Sequence, residues 1–267
     1  MGNDVSNEQA ADAVESRPAR RPGPLSRWWS RVSSRQLQKA HAREIGRFMT
    51  GRYAEPMARS ARYCQLAQAF EGSLTKGDHV LELGCGPGKY VAMLSSLGYR
   101  VTGADPHRFP EWERIGTMPG VALEDSVFAE RLPYADNQFN GAACLGALLY
   151  FQDPDRAMEE IARVVKPGGP IVMRTVNRLN RYTQRTGKRL DPASRNLYTM
   201  QELVALLEKH GLTVQQQFSY GYWPARWSNF WWYLANVWLP EWMHDRLSNR
   251  TPESQRVNLI VFARNRS

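Results

Sequence analysis

The stretch that most constrains the fold is a strand, a glycine-rich turn and a helix start in direct succession. The apolar run from His79 to Leu83 is typical of a buried β-strand, and Tyr90 to Leu94 has helical spacing. Between them lie three glycines at every second position, Gly84, Gly86 and Gly88. Glycine suits a tight turn whose backbone must approach a ligand closely. This order indicates a nucleotide site in an open α/β sheet.

The spacing of the glycines differs from that of a dinucleotide fingerprint, which runs Gly-x-Gly-x-x-Gly. Here Glu82 precedes the turn, and the pattern is Glu-x-Gly-x-Gly-x-Gly. Three further motifs follow in order: Val101 to Asp105, then Leu132-Pro133-Tyr134-Ala135-Asp136-Asn137-Gln138-Phe139, then Ile161 to Gly169. Together the four motifs resemble those of class I S-adenosylmethionine (SAM) methyltransferases, most closely the small-molecule type 11 branch. The resemblance covers roughly residues 75 to 176.

The resemblance implies an α/β fold, with a Rossmann-like, seven-stranded, mostly parallel sheet and helices on both faces. The last two strands should form an antiparallel hairpin at the sheet edge. Helices are predicted from Pro154 onward and over Tyr198 to His210. The predicted strands are His79–Leu83, Tyr99–Ala104, Val121–Leu123, Gly141–Leu145, Pro170–Thr175, Thr213–Ser219 and Val257–Arg264.

Three regions are predicted along the chain. Residues 1–24 have few apolar side chains and should be a disordered tail. Residues 25–74 should be a basic helical N-terminal extension, followed by the methyltransferase domain over 75–267. That domain carries insertions at 177–196 and 220–250, and long connections of this kind are usually functional.

The resemblance implies SAM as cofactor and assigns its site. Glu82 and the glycine turn would position the methionine and ribose parts, and Asp105 would accept hydrogen bonds from both ribose hydroxyls. The adenine contact is open between stacking on Phe128 and a hydrogen bond to Asp125. The predicted cofactor-binding residues are Glu82, Gly84, Cys85, Gly86, Gly88, Asp105, Pro106, Asp125, Phe128, Leu145 and Gly146.

The general base is harder to assign. Many relatives that act on hydroxyls have a His after strand four, whereas this chain has Leu149 and Tyr150 there. Tyr150 and His107 are therefore the catalytic candidates, although a lone His in a loop is more often a surface residue. No His, Asp or Glu cluster has metal-ligand spacing, so no metal is expected.

The second insertion suggests the nature of the methyl acceptor. Tyr220 to Trp242 includes six tryptophans, which suit the wall of an apolar, aromatic or lipid-like acceptor pocket, with Trp227, Trp231 and Tyr150 as substrate contacts. The alternative is that these tryptophans form the core of a C-terminal subdomain. The first insertion favours an anionic group on the acceptor, because it contains several basic side chains and a single acid, Asp191. They are Arg178, Arg181, Arg185, Lys188, Arg189 and Arg195.

The formal charge of +9 indicates an anionic partner, or merely a coding bias toward arginine. Basic residues recur every four positions from Arg27 to Arg47, beside Trp28 and Trp29, as in helices that lie on anionic membranes, or as in a solvated helix face. The three cysteines are read as reduced, and we expect a cytoplasmic protein that is either free in solution or membrane-peripheral. The alternatives are a non-catalytic membrane-associated binding protein and a nucleic-acid-modifying methyltransferase. The latter is disfavoured because no RNA-binding module is visible.

Overall fold

The computed structural model describes Leu66, Phe70, residues 72–221 and residues 241–266. The predicted tail at 1–24 and nearly all of the predicted extension at 25–74 lie outside these residues. So do most of the tryptophans of the second insertion. No helix in the described ranges is long and apolar enough to cross a bilayer.

A seven-stranded sheet forms the centre of the described structure, and it confirms the predicted fold. Its strands are β1 His79–Leu83, β2 Arg100–Ala104, β3 Val121–Glu124, β4 Gly141–Leu145, β5 Pro170–Val176, β6 Leu212–Tyr220 and β7 Asn258–Asn265. They are ordered β3-β2-β1-β4-β5-β7-β6. Strand β7 is antiparallel to both of its neighbours, β5 and β6, and the other pairs are parallel. The carboxyl ends of six strands therefore lie at one edge of the sheet.

Helices cover both faces of the sheet. The α-helices are α1 Lys89–Ser96, α2 Trp112–Ile115, α3 Pro154–Val164, α4 Arg181–Thr186, α5 Met200–Lys209 and α6 Glu241–Arg250. Residues of α1 and α2 pack with Leu66 and Phe70 over one face, and α3 and α5 pack over the other. Helices α3 and α5 were expected, whereas α2, α4 and α6 are additions that sequence periodicity did not reveal.

Local capping signals explain where the long helices begin. The side chain of Asp153 accepts a hydrogen bond from the backbone N–H of Arg156, and Pro154 occupies the first position of α3. Thr199 and Glu202 form a reciprocal capping box at the start of α5. These caps satisfy backbone donors that the first helical turn leaves unpaired, so the two helices start close to where the pattern placed them.

The glycine turn after β1 requires glycine for two different reasons. Gly84 has a φ of +70°, and a Cβ there would stand 2.1 Å from the Cβ of Ala147, a sterically impossible contact. Gly86 has a φ of +52°, but a Cβ there would meet nothing within 4 Å. Gly84 is thus needed for both its conformation and its close contact with the segment after β4, whereas Gly86 is needed for its conformation alone.

This difference yields a matched pair of variants. Gly84→Ala and Gly86→Ala should both be destabilised by about 1–2 kcal/mol, because alanine is strained in the left-handed backbone conformation. Gly84→Ala should lose roughly 1–3 kcal/mol more, because its methyl group forces Ala147 away. Chemical denaturation of both variants measures the difference, and equal destabilisation would mean that the Gly84–Ala147 contact does not constrain the turn.

Candidate functional site

The predicted site residues converge at the carboxyl edge of the sheet. The glycine turn follows β1, Asp105 follows β2 and Gly146 follows β4, and these three strands are adjacent. The contact between Gly84 and Ala147 joins the turn directly to the segment after β4. Ligands in open α/β sheets bind in this position, beyond the strand ends.

Asp105 holds the glycine turn against the end of β2. One carboxylate oxygen accepts a hydrogen bond from the backbone N–H of Gly86 at 2.9 Å, and the other accepts from the N–H of His107 at 2.9 Å. An ionised carboxylate offers about four acceptor positions, so about two remain unused by the described residues. A vicinal diol could use both of them, which fits the role that the resemblance gives to Asp105.

Trp112 completes the support of the turn, and sequence reasoning missed it. Its indole N–H donates to the carbonyl oxygen of Gly86 at 2.7 Å, and its side chain is buried. The peptide groups flanking the Gly86 Cα are therefore held by Asp105 on the N–H side and by Trp112 on the carbonyl side. A tryptophan in a four-residue helix carries no motif, so only the tertiary contact reveals this role.

Glu82 is the most perturbed acid at the site. The residue is 4% exposed, and its Oε2 atom has no hydrogen-bond partner among the described residues. Burial raises its pKa well above the ordinary Glu value; the backbone N–H of Val91 opposes this, and the nearby charge of Asp105 adds to it. A buried carboxyl group with an unsatisfied oxygen is costly. This cost is typical of a group that is completed by a ligand.

The candidates for the adenine contact lie beyond β3. Phe128 is 51% exposed, and Asp125 is exposed, with an oxygen 3.6 Å from the guanidinium of Arg108. Ser126 between them has a φ of +60°, an uncommon conformation for a residue other than glycine. The backbone N–H of Val127 donates to the carbonyl of Asp105, so this loop is fixed beside the end of β2. Both adenine alternatives remain predictions.

Cys85 and Pro106 have subsidiary places at the site. Burial raises the pKa of the Cys85 thiol, so the thiol stays neutral, and its sulfur lies 3.0 Å from where a Cβ on Gly103 would stand. Cys85 therefore packs the turn onto β2. Pro106 is half-buried directly after Asp105. The cofactor contacts of Cys85 and Pro106 stay predictions.

The segment after β4 presents Tyr150 as an exposed aromatic. Leu145 and Gly146 are half-buried at the strand end, and Tyr150 follows in a short 3-10 helix with its side chain 46% exposed. Its hydroxyl group donates to the carboxylate of Asp191. Burial, together with this carboxylate, raises the pKa of Tyr150 to about 12. At neutral pH Tyr150 is therefore a neutral phenol. His107 is exposed two residues after Asp105, and both catalytic roles stay predictions.

The basic insertion at 177–196 docks onto this same segment. The backbone N–H groups of Arg195 and Asn196 donate to the carbonyl oxygen of Leu149 at 2.8 and 3.1 Å. Together with the Tyr150–Asp191 hydrogen bond, these contacts bring the end of the insertion beside Tyr150, a predicted substrate contact. The single acid of the insertion is thus its contact with Tyr150.

The second insertion begins and ends at the same edge. The N–H of Val257 donates to the carbonyl of Gly221 at 3.2 Å, and the N–H of Gly221 donates to the hydroxyl of Ser248 at 3.0 Å. Both ends are thus held together beyond β6. The predicted substrate contacts Trp227 and Trp231 lie outside the described residues.

The site residues fit the cofactor that the resemblance implies. Among the described residues, Glu82 offers a buried carboxyl oxygen without a partner, Asp105 keeps free acceptor positions, and a Cβ on Gly86 would meet nothing within 4 Å. Within the described ranges, no group of three His, Cys, Asp or Glu residues could hold a metal ion.

Comparison with known proteins identifies relatives of this domain. A family model described as a methyltransferase domain matches residues 53–217. A sterol 4-C-methyltransferase of Caenorhabditis elegans is 27% identical over 170 residues, covering 58% of this chain and 50% of its own length. A ubiquinone biosynthesis O-methyltransferase of Pseudomonas aeruginosa is 33% identical over 109 residues, covering 38% of this chain and 46% of its own. The matches thus span about half or less of these relatives.

Solved structures share the fold. A SAM-dependent methyltransferase of Aquifex aeolicus superposes with a TM-score of 0.52 at 18% identity, covering 76% of this chain and 89% of its own. The cyclase SpnF superposes with a TM-score of 0.56 at 18% identity, covering 89% of this chain and 94% of its own. At such identities the likeness shows the fold alone.

Glu82→Gln should separate stability from function. Because the folded-state pKa of Glu82 is raised, wild-type stability falls as the pH rises from the ordinary Glu range through that raised pKa. A neutral glutamine removes this loss, so the variant should gain stability relative to wild type as pH increases, while its affinity for SAM drops. Thermal melts across pH and calorimetric titration measure both, and a variant that is less stable at every pH would contradict the assignment.

Proposed function

Because the chain belongs to the class I SAM-dependent methyltransferase superfamily, we propose that it transfers a methyl group from SAM to a small molecule. The observation that carries the proposal is the flanking of the glycine turn by two acids, Glu82 and Asp105. Both are buried; Glu82 has an oxygen without a partner in the described part of the chain, and Asp105 keeps acceptor capacity at the strand end. These features match a ligand that has a cationic amino group and a ribose diol.

The work of the protein would be mainly positional. SAM supplies an activated methyl group on a sulfonium with a good leaving group, so the chain must hold the acceptor atom near and in line with that methyl. Glu82 would accept from the ammonium of the methionine part, and Asp105 would accept from the ribose hydroxyls. The contacts of Trp112 and Gly84 would hold the glycine turn in place under the bound ligand.

The acceptor would be apolar or lipid-like, and the basic insertion favours one that also carries an anionic group. The tryptophan-rich segment starts and ends at the carboxyl edge, and the basic insertion contacts the segment after β4. Two relatives carry names that refer to a sterol and to ubiquinone biosynthesis, which supports an apolar acceptor. Tyr150 would face this acceptor as a neutral hydrogen-bonding group, because its pKa of about 12 opposes ionisation.

Transfer of radiolabelled methyl from SAM to lipid and quinone extracts tests the function. Trp227→Ala and Trp231→Ala should bind SAM normally and lose transfer. Asp105→Ala should lose roughly 1–3 kcal/mol of SAM binding. Melting temperature provides the control, since removal of a core tryptophan typically costs about 3–5 kcal/mol and that of a pocket residue should cost much less. Tryptophan variants that fail to fold would identify the segment as structural core and end the acceptor argument.

Peripheral contact with anionic membrane is a separate part of the proposal, based on the basic residues from Arg27 to Arg47. The full chain should float with anionic vesicles at low salt and detach as salt rises, because screening acts over about 10 Å at 0.1 M. A chain that starts at residue 38 should bind vesicles less and keep its SAM affinity. Equal flotation of the two would show that this stripe does not bind membrane.

A further inference from the structure

Arg174 places a positive charge at the same edge, and no sequence motif drew attention to it. It lies near the carboxyl end of β5, half-buried in a strand whose other residues are mostly buried and apolar. Its guanidinium turns toward β4, since Nη2 lies 2.9 Å from where a Cβ on Gly146 would stand. Strand β4 separates β5 from β1. The charge therefore extends from β5 in the direction of the glycine turn.

Strand register places Glu82 and Arg174 on one face of the sheet. Glu82 pairs with Ala143, and Ala143 pairs with Val172, so these three residues share a face. Arg174 is two residues beyond Val172 in the same strand, so its side chain lies on that face too. Glu82 and Arg174 are separated by two strand spacings across the sheet, roughly 10 Å, and by two residues along the strands, roughly 7 Å. On this face, β4 places the small side chain of Ala143 between the strands that carry Glu82 and Arg174.

The two charges complement a zwitterion. Glu82 is buried with an oxygen that no described residue satisfies, which points to a cationic partner, and a guanidinium presents a planar fork that matches a carboxylate. An α-amino acid carries an ammonium and a carboxylate on one carbon, so a single ligand group can meet both. The methionine part of SAM is such a group.

We propose that Arg174 binds the α-carboxylate of the methionine part of SAM while Glu82 binds its α-ammonium. This inference rests on the SAM binding proposed above. It adds a specificity-determining residue on β5, so that an opposite-charge pair on one sheet face selects an amino-acid group. A carboxylate on the acceptor has the same chemistry, and the experiment distinguishes the two sources.

The test compares SAM with decarboxylated SAM, which keeps the ammonium, sulfonium and ribose. Wild type should bind SAM roughly 10–100-fold more tightly than the decarboxylated compound, the range expected for a charged hydrogen-bonded pair. Arg174→Gln should lose that preference by weakening SAM alone, and Arg174→Lys should retain part of it. Arg156→Gln is the matched control, because it removes the same charge from an exposed side chain on α3 that pairs with Glu159 at 2.7 Å.

Several results would overturn the inference. Equal affinity of wild type for the two compounds would do so without any variant. Loss of affinity for both compounds in Arg174→Gln would show general damage to the site. If Arg174→Gln leaves the SAM affinity unchanged but raises the KM for the acceptor, the carboxylate that Arg174 binds belongs to the acceptor. If wild type binds no SAM at all, the proposed function itself fails, which is a different outcome from failure at Arg174.

Discussion

The site depends on how the peptide groups around Gly86 are fixed. The N–H of Gly86 donates to Asp105 and its carbonyl oxygen accepts from Trp112, so residues outside the turn hydrogen-bond both groups. A turn with left-handed glycines is intrinsically mobile, because glycine gives up the most conformational freedom on folding. Contacts from two separate elements reduce that freedom in advance. A ligand that binds the turn then pays less ordering entropy.

Burial of Glu82 shows what the same arrangement costs. Its raised pKa, and an oxygen that no described residue satisfies, make the free protein less stable than it would be with a neutral residue of similar shape. No packing benefit seen in the described residues requires a carboxyl group there. The cost is understandable if an ammonium completes the site, since a buried charge becomes favourable once it is paired and hydrogen-bonded.

The sequence predicts the parts of the structure that follow from local pattern. The apolar run of β1, the glycine turn and the apolar spacing of α3 and α5 all act over a few residues, and the structure confirms the elements that they predict. Trp112 and Gly86 are 26 residues apart, and Tyr150 and Asp191 are 41 apart. Neither pair has a spacing that a helix or strand would impose, so no pattern could indicate them. Helices α4 and α6 lack a continuous apolar stripe and were missed for the same kind of reason.

Arg174 shows how a local pattern can conceal function. In a strand that is read as buried, a single arginine looks like an irregularity, because charged residues are rarely buried without a partner. Only the strand order reveals that β4 alone separates it from the glycine turn. The packing against Gly146 then gives the direction of its guanidinium. A parallel sheet brings residues from distant segments to one edge, so the charge pattern that a ligand meets follows from topology as much as from sequence.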